Sequence, residues 1–361
     1  MLELKPRFIN SYAETFCREF FDSNRPKFIL GTNAWAESIA YVVDVDGFID
    51  DFTSEISYLG KPIVSMDDVP DNALVVSVVI GKPFVAEKRM RQFQFDSLDY
   101  YAFYYYAKLP IKQVMFWDGV VEEIERNFEK YQWVYSKLND KVSKNQFTNI
   151  INFRYSYDLR YMRGFENKER EQYFEPFLSL KTEHESFVDI GAFDGYTTEE
   201  FIKRCPNFTK IFMFEPEQNN LENTRRRLEG YDKIKYFQKG LSNQKGVLRF
   251  EAGGSSSKIS ETGDLVIEVD RLDELIDEKV TFIKMDIEGA EKDALEGGKE
   301  TIGKYHPTLA ISVYHQKNDF WKIPELVFGI RSDYDLYLRH YTEGISETVM
   351  FFVPQNTPQI K

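Results

Sequence analysis

The chain has 361 residues, with 46 Lys and Arg against 59 Asp and Glu, and a formal net charge of -13. This length predicts two domains of ordinary size, and a hydrophobic fraction of 42% is enough to form their cores. The acidic balance argues against a nucleic-acid-binding surface, because phosphate recognition needs lysine and arginine gathered on one face.

Cysteine usage and the N-terminal stretch predict a protein of a reducing compartment, the cytoplasm. Cys17 and Cys205 are the only cysteines, too few for a disulfide framework. The N-terminal stretch MLELKPRFINSYAETF contains acids and no long apolar core, unlike a signal peptide. Since no apolar run approaches the ~18 residues that cross a bilayer, we expect no membrane span.

Residues 1–117 have the alternating pattern of a small Rossmann-like α/β domain. KFILG is a short strand ending in glycine, and the helix-like stretch after it would be capped by Thr32 or Asn33. ALVVSVVIG is a β-branched run, as expected of a strand buried on both faces. The domain resembles a nucleotide-binding unit, but GTNAW lacks a glycine fingerprint, which argues against a ligand there.

Residues 118–180 have helical apolar spacing and many charges, and we interpret them as a helical connector packed against both sheets. Residues 181–361 form a second, larger α/β pattern. Its strands FVDIG and KIFMFEP alternate with helices TTEEFIKRC and NNLENTRRRLEG, and its last stretch, YDLYLRHYTEGISETVMFFVP, alternates like a hairpin. The polar loop AGGSSSKIS, residues 252–260, either closes over a ligand or is an exposed linker.

The loop in FVDIGAFDGYTTEEF combines two glycines with two acids at the end of a strand. Ligands of open parallel sheets bind at such strand ends, and Gly191 and Gly195 permit close approach to the backbone. Asp189 and Asp194 would repel a pyrophosphate, since like charges ~4 Å apart at an effective dielectric of about 20 repel by roughly 4 kcal/mol. The spacing also differs from G-x-G-x-x-G. S-adenosylmethionine, which is cationic and has no phosphate, fits this loop better.

Two further segments can complete a cofactor site. The next strand ends in Glu215, about twenty residues after the loop, where an acid accepts hydrogen bonds from ribose hydroxyls. The ribose is common to S-adenosylmethionine and NAD, so Glu215 does not choose between them. The passage QKGLSN can meet an adenine edge through backbone amides and Ser242.

The segments FVDIGAFDG, FEPE, GLSN, VDRLDEL and FIKMDIEGAE, in this order, resemble the FkbM family of S-adenosylmethionine-dependent methyltransferases. The resemblance extends from about residue 185 to the end, and FIKMDIEGAEKDALEGG is its most specific part. It implies a class I methyltransferase sheet and methyl transfer to a hydroxyl of a sugar, glycan or polyketide. It also implies a cofactor site made of Asp189, Gly191, Asp194, Gly195, Glu215 and Ser242.

Methylation of a hydroxyl requires removal of its proton, by a general base or with the help of a metal. His315 ends LAISVYH at a strand's carboxyl end and is our expected base, with His340 as a second candidate. The segment KMDIEGAE should lie beside the first strand, which brings Asp286 to the same site. Asp286, His315 and His340 would alternatively bind Mn²⁺, Fe²⁺, Zn²⁺ or Mg²⁺, although no tight ligand spacing marks such a site.

The residues and the resemblance together predict an S-adenosylmethionine-dependent O-methyltransferase acting on a small-molecule or saccharide acceptor. The choice of a sugar or glycan hydroxyl, and with it a role in polysaccharide biosynthesis, is what the resemblance implies. Two alternatives stay open: an NAD-type oxidoreductase acting on a nucleotide sugar, and a non-catalytic scaffold that retains the fold. The first domain would present the acceptor, hold a nucleotide-linked sugar or mediate formation of a homo-oligomer.

Overall fold

The computed structural model describes residues 1–251, 258–259 and 265–355, and it shows two Rossmann-like sheets joined by a helical region. The mixed α/β architecture is therefore confirmed. Apart from residues 258–259, the predicted polar loop 252–260 lies outside the described residues. Within the described ranges, no helix has both the length and the apolar character that crossing a bilayer requires.

The first sheet has the strand order β3-β4-β2-β1-β5-β6, and every pair is parallel except β3 with β4. Asn33 caps the first helix after β1, as one of the two predicted caps, by accepting hydrogen bonds from the amides of Trp35 and Ala36. The strands are β1 Lys27–Leu30, β2 Gly47–Ile49, β3 Ser57–Tyr58, β4 Lys61–Val64, β5 Leu74–Ser77 and β6 Asp96–Asp99. The helices of this part are α1 Ser11–Asp22, α2 Ala34–Ala40, α3 Pro83–Gln92 and α4 Tyr100–Ala107.

The connector is helical at first and then continues as short turns. Its helices are α5 Val120–Arg126, α6 Phe128–Lys137 and α7 Lys141–Ser156, and its 3-10 turns are Leu159–Met162, Glu169–Glu171 and Pro176–Leu178. Phe153 of α7 packs edge-on against Tyr101 of α4 with ring centres 4.8 Å apart. On the other side of α7, the amide of Leu338 in the second sheet donates to Oγ of Ser143 at 2.9 Å. The connector thus contacts both halves of the chain.

The second sheet has the order β9-β8-β7-β14-β15-β17-β16, parallel from β9 to β15, with β17 antiparallel to both its neighbours. The strands of this half are β7 Ser186–Ile190, β8 Lys210–Phe214, β9 Ile234–Phe237, β10 Gly240–Leu241, β11 Gly246–Glu251, β12 Lys258–Ile259, β13 Leu265–Asp270, β14 Phe282–Met285, β15 Thr308–Ser312, β16 Tyr334–His340 and β17 Thr348–Pro354. Its helices are α8 Tyr196–Arg204, α9 Gln218–Arg227, α10 Leu272–Leu275, α11 Glu291–Gly297, α12 Lys299–Tyr305 and α13 Asp319–Ile330. The predicted terminal hairpin and the pairing of the KMDIEGAE strand with the first strand are both confirmed.

A small separate sheet has the order β10-β13-β11-β12. Its strands include segments that the sequence marks as strand-like, but the sequence analysis does not predict a third sheet. The buried side chains of Ile267 and Val269 on β13 turn towards the carboxyl end of β8, where they line a cavity.

The loop between β16 and β17 joins the two halves. The carboxylate of Glu343 accepts hydrogen bonds from the amides of Phe84 and Val85, at 2.9 and 3.1 Å, at the start of α3. A Cβ on Gly344 would lie 2.5 Å from the carbonyl oxygen of Ile80, so the loop packs closely against the segment that follows β5. The amides of α3 that would bind an anion are therefore paired with a carboxylate of the same chain.

Glu343→Ala should lower the free energy of unfolding by about 1–2 kcal/mol, because it removes a charged acceptor from the N-terminus of α3. Thermal unfolding of the variant and of the exposed-site control Glu55→Ala would measure the difference. Equal midpoints for both variants and the parent protein would show that this contact contributes nothing to the junction.

Candidate active site

A cavity of about 380 Å³ lies at the carboxyl ends of β7, β8 and β14. This is the edge at which open α/β sheets bind ligands, and the volume is that of a small-molecule site. Its walls come from the glycine loop after β7, the end of β8, the small sheet and the KMDIEGAE turn. The predicted cofactor and catalytic segments therefore converge on one place.

The two glycines of the loop are sterically required where they stand. Gly191 has φ +78°, and a Cβ there would lie 1.9 Å from the carbonyl oxygen of Asp286. Gly195 has φ +81°, and a Cβ there would lie 2.9 Å from Cγ2 of Thr224. The loop thus passes against the end of β14, and Gly191 forms part of the cavity wall.

Asp189 lies behind the glycine loop and is fully buried. One carboxylate oxygen accepts a hydrogen bond from the hydroxyl of Thr198 at 2.7 Å, and the other lies 3.3 Å from Nζ of Lys284. The same ammonium donates to the carbonyl oxygen of Gly191 at 2.5 Å. Asp189 therefore holds the loop and β14 together, and it is not positioned to face a bound cation as the sequence argument assumed.

Asp194 lines the cavity, but its negative charge is partly compensated by Arg227. Oδ2 pairs with Nη2 of Arg227 at 2.5 Å, and Oδ1 accepts a hydrogen bond from the amide of Tyr196 at 3.0 Å. The negative potential that this side chain presents to a ligand is thus smaller than an unpaired carboxylate would present.

Glu215 lies on the cavity wall with both oxygens oriented by backbone amides. Oε2 accepts from the amide of Phe193 and Oε1 from that of Glu217, each at 2.9 Å. Burial raises the pKa of Glu215, while these hydrogen bonds act in the opposite direction. Because each oxygen has a second lone pair, the fixed carboxylate can still accept hydrogen bonds from a ligand.

Ser242 is buried beside the cavity, and it is not among the described residues that line it. The amide of Ser242 donates to the carbonyl oxygen of Asp270. The carbonyl oxygen of Ser242 would lie 2.0 Å from a Cβ added at Gly297. The preceding residues Gly240 and Leu241 of β10 form the wall instead. The QKGLSN segment therefore reaches the cavity as expected, but with Gly240 and Leu241 in place of Ser242.

Asp286, Glu288, Glu291 and His315 form a carboxylate–histidine cluster at the end of β14. Nδ1 of the buried His315 lies 2.9 Å from Oε1 of Glu291. Nε2 of His315 lies 3.4 Å from Oδ1 of Asp286 and 3.7 Å from Oε2 of Glu288. The other oxygen of Asp286 accepts a hydrogen bond from the hydroxyl of Tyr173 at 2.6 Å. The structure thus brings together two of the three predicted catalytic residues, Asp286 and His315.

The electrostatics of this cluster oppose a role for His315 as the base. Burial by itself lowers the pKa of His315, but the surrounding carboxylates, Glu291 first, outweigh it and raise the pKa to about 10. Burial raises the pKa of Glu288 to about 7, against the opposing effect of His315. The imidazole therefore carries a proton near neutral pH and cannot accept another.

His340 does not join the cluster, because it lies on β16, two strands away from β15. Its Nδ1 is 2.8 Å from Oγ1 of Thr348, and its ring packs edge-on against Phe165. Burial lowers the pKa of His340 to about 3, so the ring is neutral. The structure gives this residue the environment of a packed core histidine, outside the cavity wall.

The sequence analysis did not identify the residues that complete the cavity near Asp286. Tyr173 and Gln172 come from the connector, Tyr314 from the end of β15 and Glu347 from the loop before β17. Glu347 accepts hydrogen bonds from Tyr314 at 3.2 Å and from Gln172 at 2.7 Å, and burial raises its pKa to about 7. No local pattern marks these residues, since the fold alone brings them together.

Comparisons with known proteins agree with this architecture. Residues 189–343 match the model of the methyltransferase FkbM domain. The 2-O-methyltransferase NoeI of Sinorhizobium fredii is 26% identical over a match that covers 32% of this chain and 58% of that enzyme's own length.

Among solved structures, the methyltransferase FkbM from Methylobacillus flagellatus superimposes with a TM-score of 0.77 at 24% identity, over 95% of this chain and 94% of that one. This likeness establishes the fold and confirms the predicted methyltransferase sheet with its preceding α/β unit. Residues 189–343 of this chain thus match the methyltransferase FkbM domain, within a fold like that of the Methylobacillus FkbM methyltransferase.

Proposed function

We propose that the protein transfers a methyl group from S-adenosylmethionine to a hydroxyl of a sugar or glycan precursor. The observation that carries this proposal is the position of the carboxylate–histidine cluster. It meets the same cavity as the glycine loop and Glu215, so a cofactor cradle and a proton acceptor adjoin each other.

The cavity residues fit the cofactor. The backbone at Gly191 leaves no room for a side chain, and the fixed carboxylate of Glu215 can accept hydrogen bonds from both ribose hydroxyls. Apolar side chains of Leu241, Ile267 and Val269 offer a surface for the adenine. S-adenosylmethionine, when bound, supplies an electrophilic methyl carbon.

The acceptor end of the cavity suits a sugar. The rings of Tyr173 and Tyr314 can pack against the C–H face of a pyranose, and Gln172 and Glu347 can hydrogen-bond its hydroxyls. The similarity to the Sinorhizobium 2-O-methyltransferase supports oxygen as the methylated atom.

Asp286 accepts the proton of the attacking hydroxyl in this proposal. Its carboxylate lines the cavity, accepts a hydrogen bond from the hydroxyl of Tyr173 on one side and lies 3.4 Å from Nε2 of His315 on the other. Methyl transfer would break the methyl–sulfur bond of the bound cofactor and leave S-adenosylhomocysteine, and Asp286 would take the proton of the hydroxyl. His315 is a positioning residue, with its Nε2 3.4 Å from Oδ1 of Asp286, and correct alignment of the reacting atoms supplies much of the rate.

Calorimetric titration with S-adenosylhomocysteine and with NAD⁺ tests the proposal. We expect S-adenosylhomocysteine to bind and NAD⁺ not to bind. Glu215→Gln should weaken S-adenosylhomocysteine roughly tenfold or more, because hydrogen bonds to a charged group contribute about 1.5–3 kcal/mol. Glu222→Gln, on the exposed face of α9, is the matched control. Binding of NAD⁺ without a response to S-adenosylhomocysteine would establish the oxidoreductase alternative instead.

A further inference from the structure

The carboxylate–histidine cluster contains an unused polar atom. Nε2 of His315 is buried and has no hydrogen-bond partner among the residues that the structure describes. It nevertheless faces Oδ1 of Asp286 at 3.4 Å and Oε2 of Glu288 at 3.7 Å. Ligand atoms bound at ~2.1 Å to one metal ion lie about 3.0–3.4 Å apart, so the distance from Nε2 to Oδ1 of Asp286 matches that spacing and the distance to Oε2 of Glu288 is slightly longer.

The other ring nitrogen of His315, Nδ1, already has a partner in Glu291. Nδ1 lies 2.9 Å from Oε1 of Glu291, and the same oxygen accepts a hydrogen bond from the amide of Ile287 at 2.9 Å. Ligand atoms of Asp286, Glu291 and His315 all lie within 4.8 Å of one another. A carboxylate that fixes one nitrogen of a histidine, while the second nitrogen is free, is the usual support of a metal-binding imidazole.

Negative charge exceeds positive charge around this point. Asp286, Glu288 and Glu291 surround the imidazole, and Glu347 stands nearby. The buried ammonium of Lys284 is paired with Asp189. A divalent cation at this point would be attracted by these carboxylates.

We propose that Nε2 of His315, Oδ1 of Asp286 and Oε2 of Glu288 bind one divalent cation, of which Mn²⁺ best matches a mixed carboxylate and imidazole set. Asp286 and Glu288 line the cavity, so remaining positions on the cation face the acceptor. Its role there rests on the proposed function: a hydroxyl oxygen bound to the cation would release its proton to Asp286 more readily.

The test uses metal-stripped full-length protein titrated with Mn²⁺, with free Mn²⁺ followed by electron paramagnetic resonance. We expect one Mn²⁺ per chain, and Kd values at least roughly tenfold weaker in His315→Ala and in Glu288→Gln. His184→Ala is the control, because His184 is exposed beside Glu183 and would report adventitious surface binding. Its Kd should equal that of the parent protein.

Absence of Mn²⁺ uptake at millimolar concentration would overturn the site, and so would uptake that neither variant weakens. If His315→Ala does not fold, Glu288→Gln decides the matter, since its side chain is partly exposed and keeps its size. Calorimetry with S-adenosylhomocysteine on the same samples separates the two proposals. Failure to bind S-adenosylhomocysteine counts against methyl transfer, whereas the Mn²⁺ titration alone decides the metal site.

Discussion

Gly191→Ala should abolish measurable binding of S-adenosylhomocysteine and destabilise the protein. The added methyl would lie 1.9 Å from the carbonyl oxygen of Asp286, which is backbone and cannot move aside alone. The loop must therefore shift into the cavity or away from β14. Forced overpacking costs about 1–3 kcal/mol, and a left-handed backbone adds about 1–2 kcal/mol for alanine. We expect at least a 100-fold loss of affinity by calorimetry.

Gly230→Ala is the control variant, because it introduces the strain of a left-handed alanine without the steric clash expected at Gly191. Gly230 has φ +94°, and a Cβ there would have no described neighbour within 4 Å. This variant should lose some stability but keep the parent's affinity for S-adenosylhomocysteine. If Gly191→Ala bound as well as Gly230→Ala does, the glycine loop would not be the cofactor cradle.

Asp286→Asn should lower kcat by roughly 10²- to 10⁴-fold while changing the affinity for S-adenosylhomocysteine by less than about threefold. The amide has the same shape and can still accept a hydrogen bond from Tyr173, but it cannot take the proton of the acceptor. Initial rates with isotopically labelled S-adenosylmethionine at saturating acceptor measure the first quantity, and calorimetry measures the second.

Asp232→Asn provides the matched control for this variant, since Asp232 is exposed between α9 and β9. It should turn over at the parent rate. Equal turnover of Asp286→Asn and the parent protein would remove Asp286 from the role of base. A parallel loss of cofactor affinity and turnover would instead assign it to the cofactor site.

Local patterns predicted much of the fold. Apolar runs ending in glycine indicated β1 and β7, a β-branched run indicated β5, and the alternation of residues 334–354 indicated the terminal hairpin. These features depend on neighbours in the chain, so one sequence suffices to detect them. The small sheet was not foreseen, because pairing of β10 with β13 joins segments far apart in sequence.

The orientation of side chains at the site was harder to predict. Every residue of β7 is buried, so its pattern does not reveal that Asp189 faces Lys284 and not the cavity. Likewise, a strand-end histidine predicted a base at His315, but its charge depends on Glu291, which only the fold brings next to it. Electrostatics at a buried site depend on every neighbour, and a single chain position does not encode them.

A crystal structure of the protein with S-adenosylhomocysteine tests the central claim most directly. We predict that the ribose hydroxyls donate to the carboxylate of Glu215 and that the sulfur faces the cavity end formed by Asp286 and Tyr173. A ligand bound elsewhere, or a pyrophosphate-containing cofactor seated on the loop at Gly191, would contradict the account.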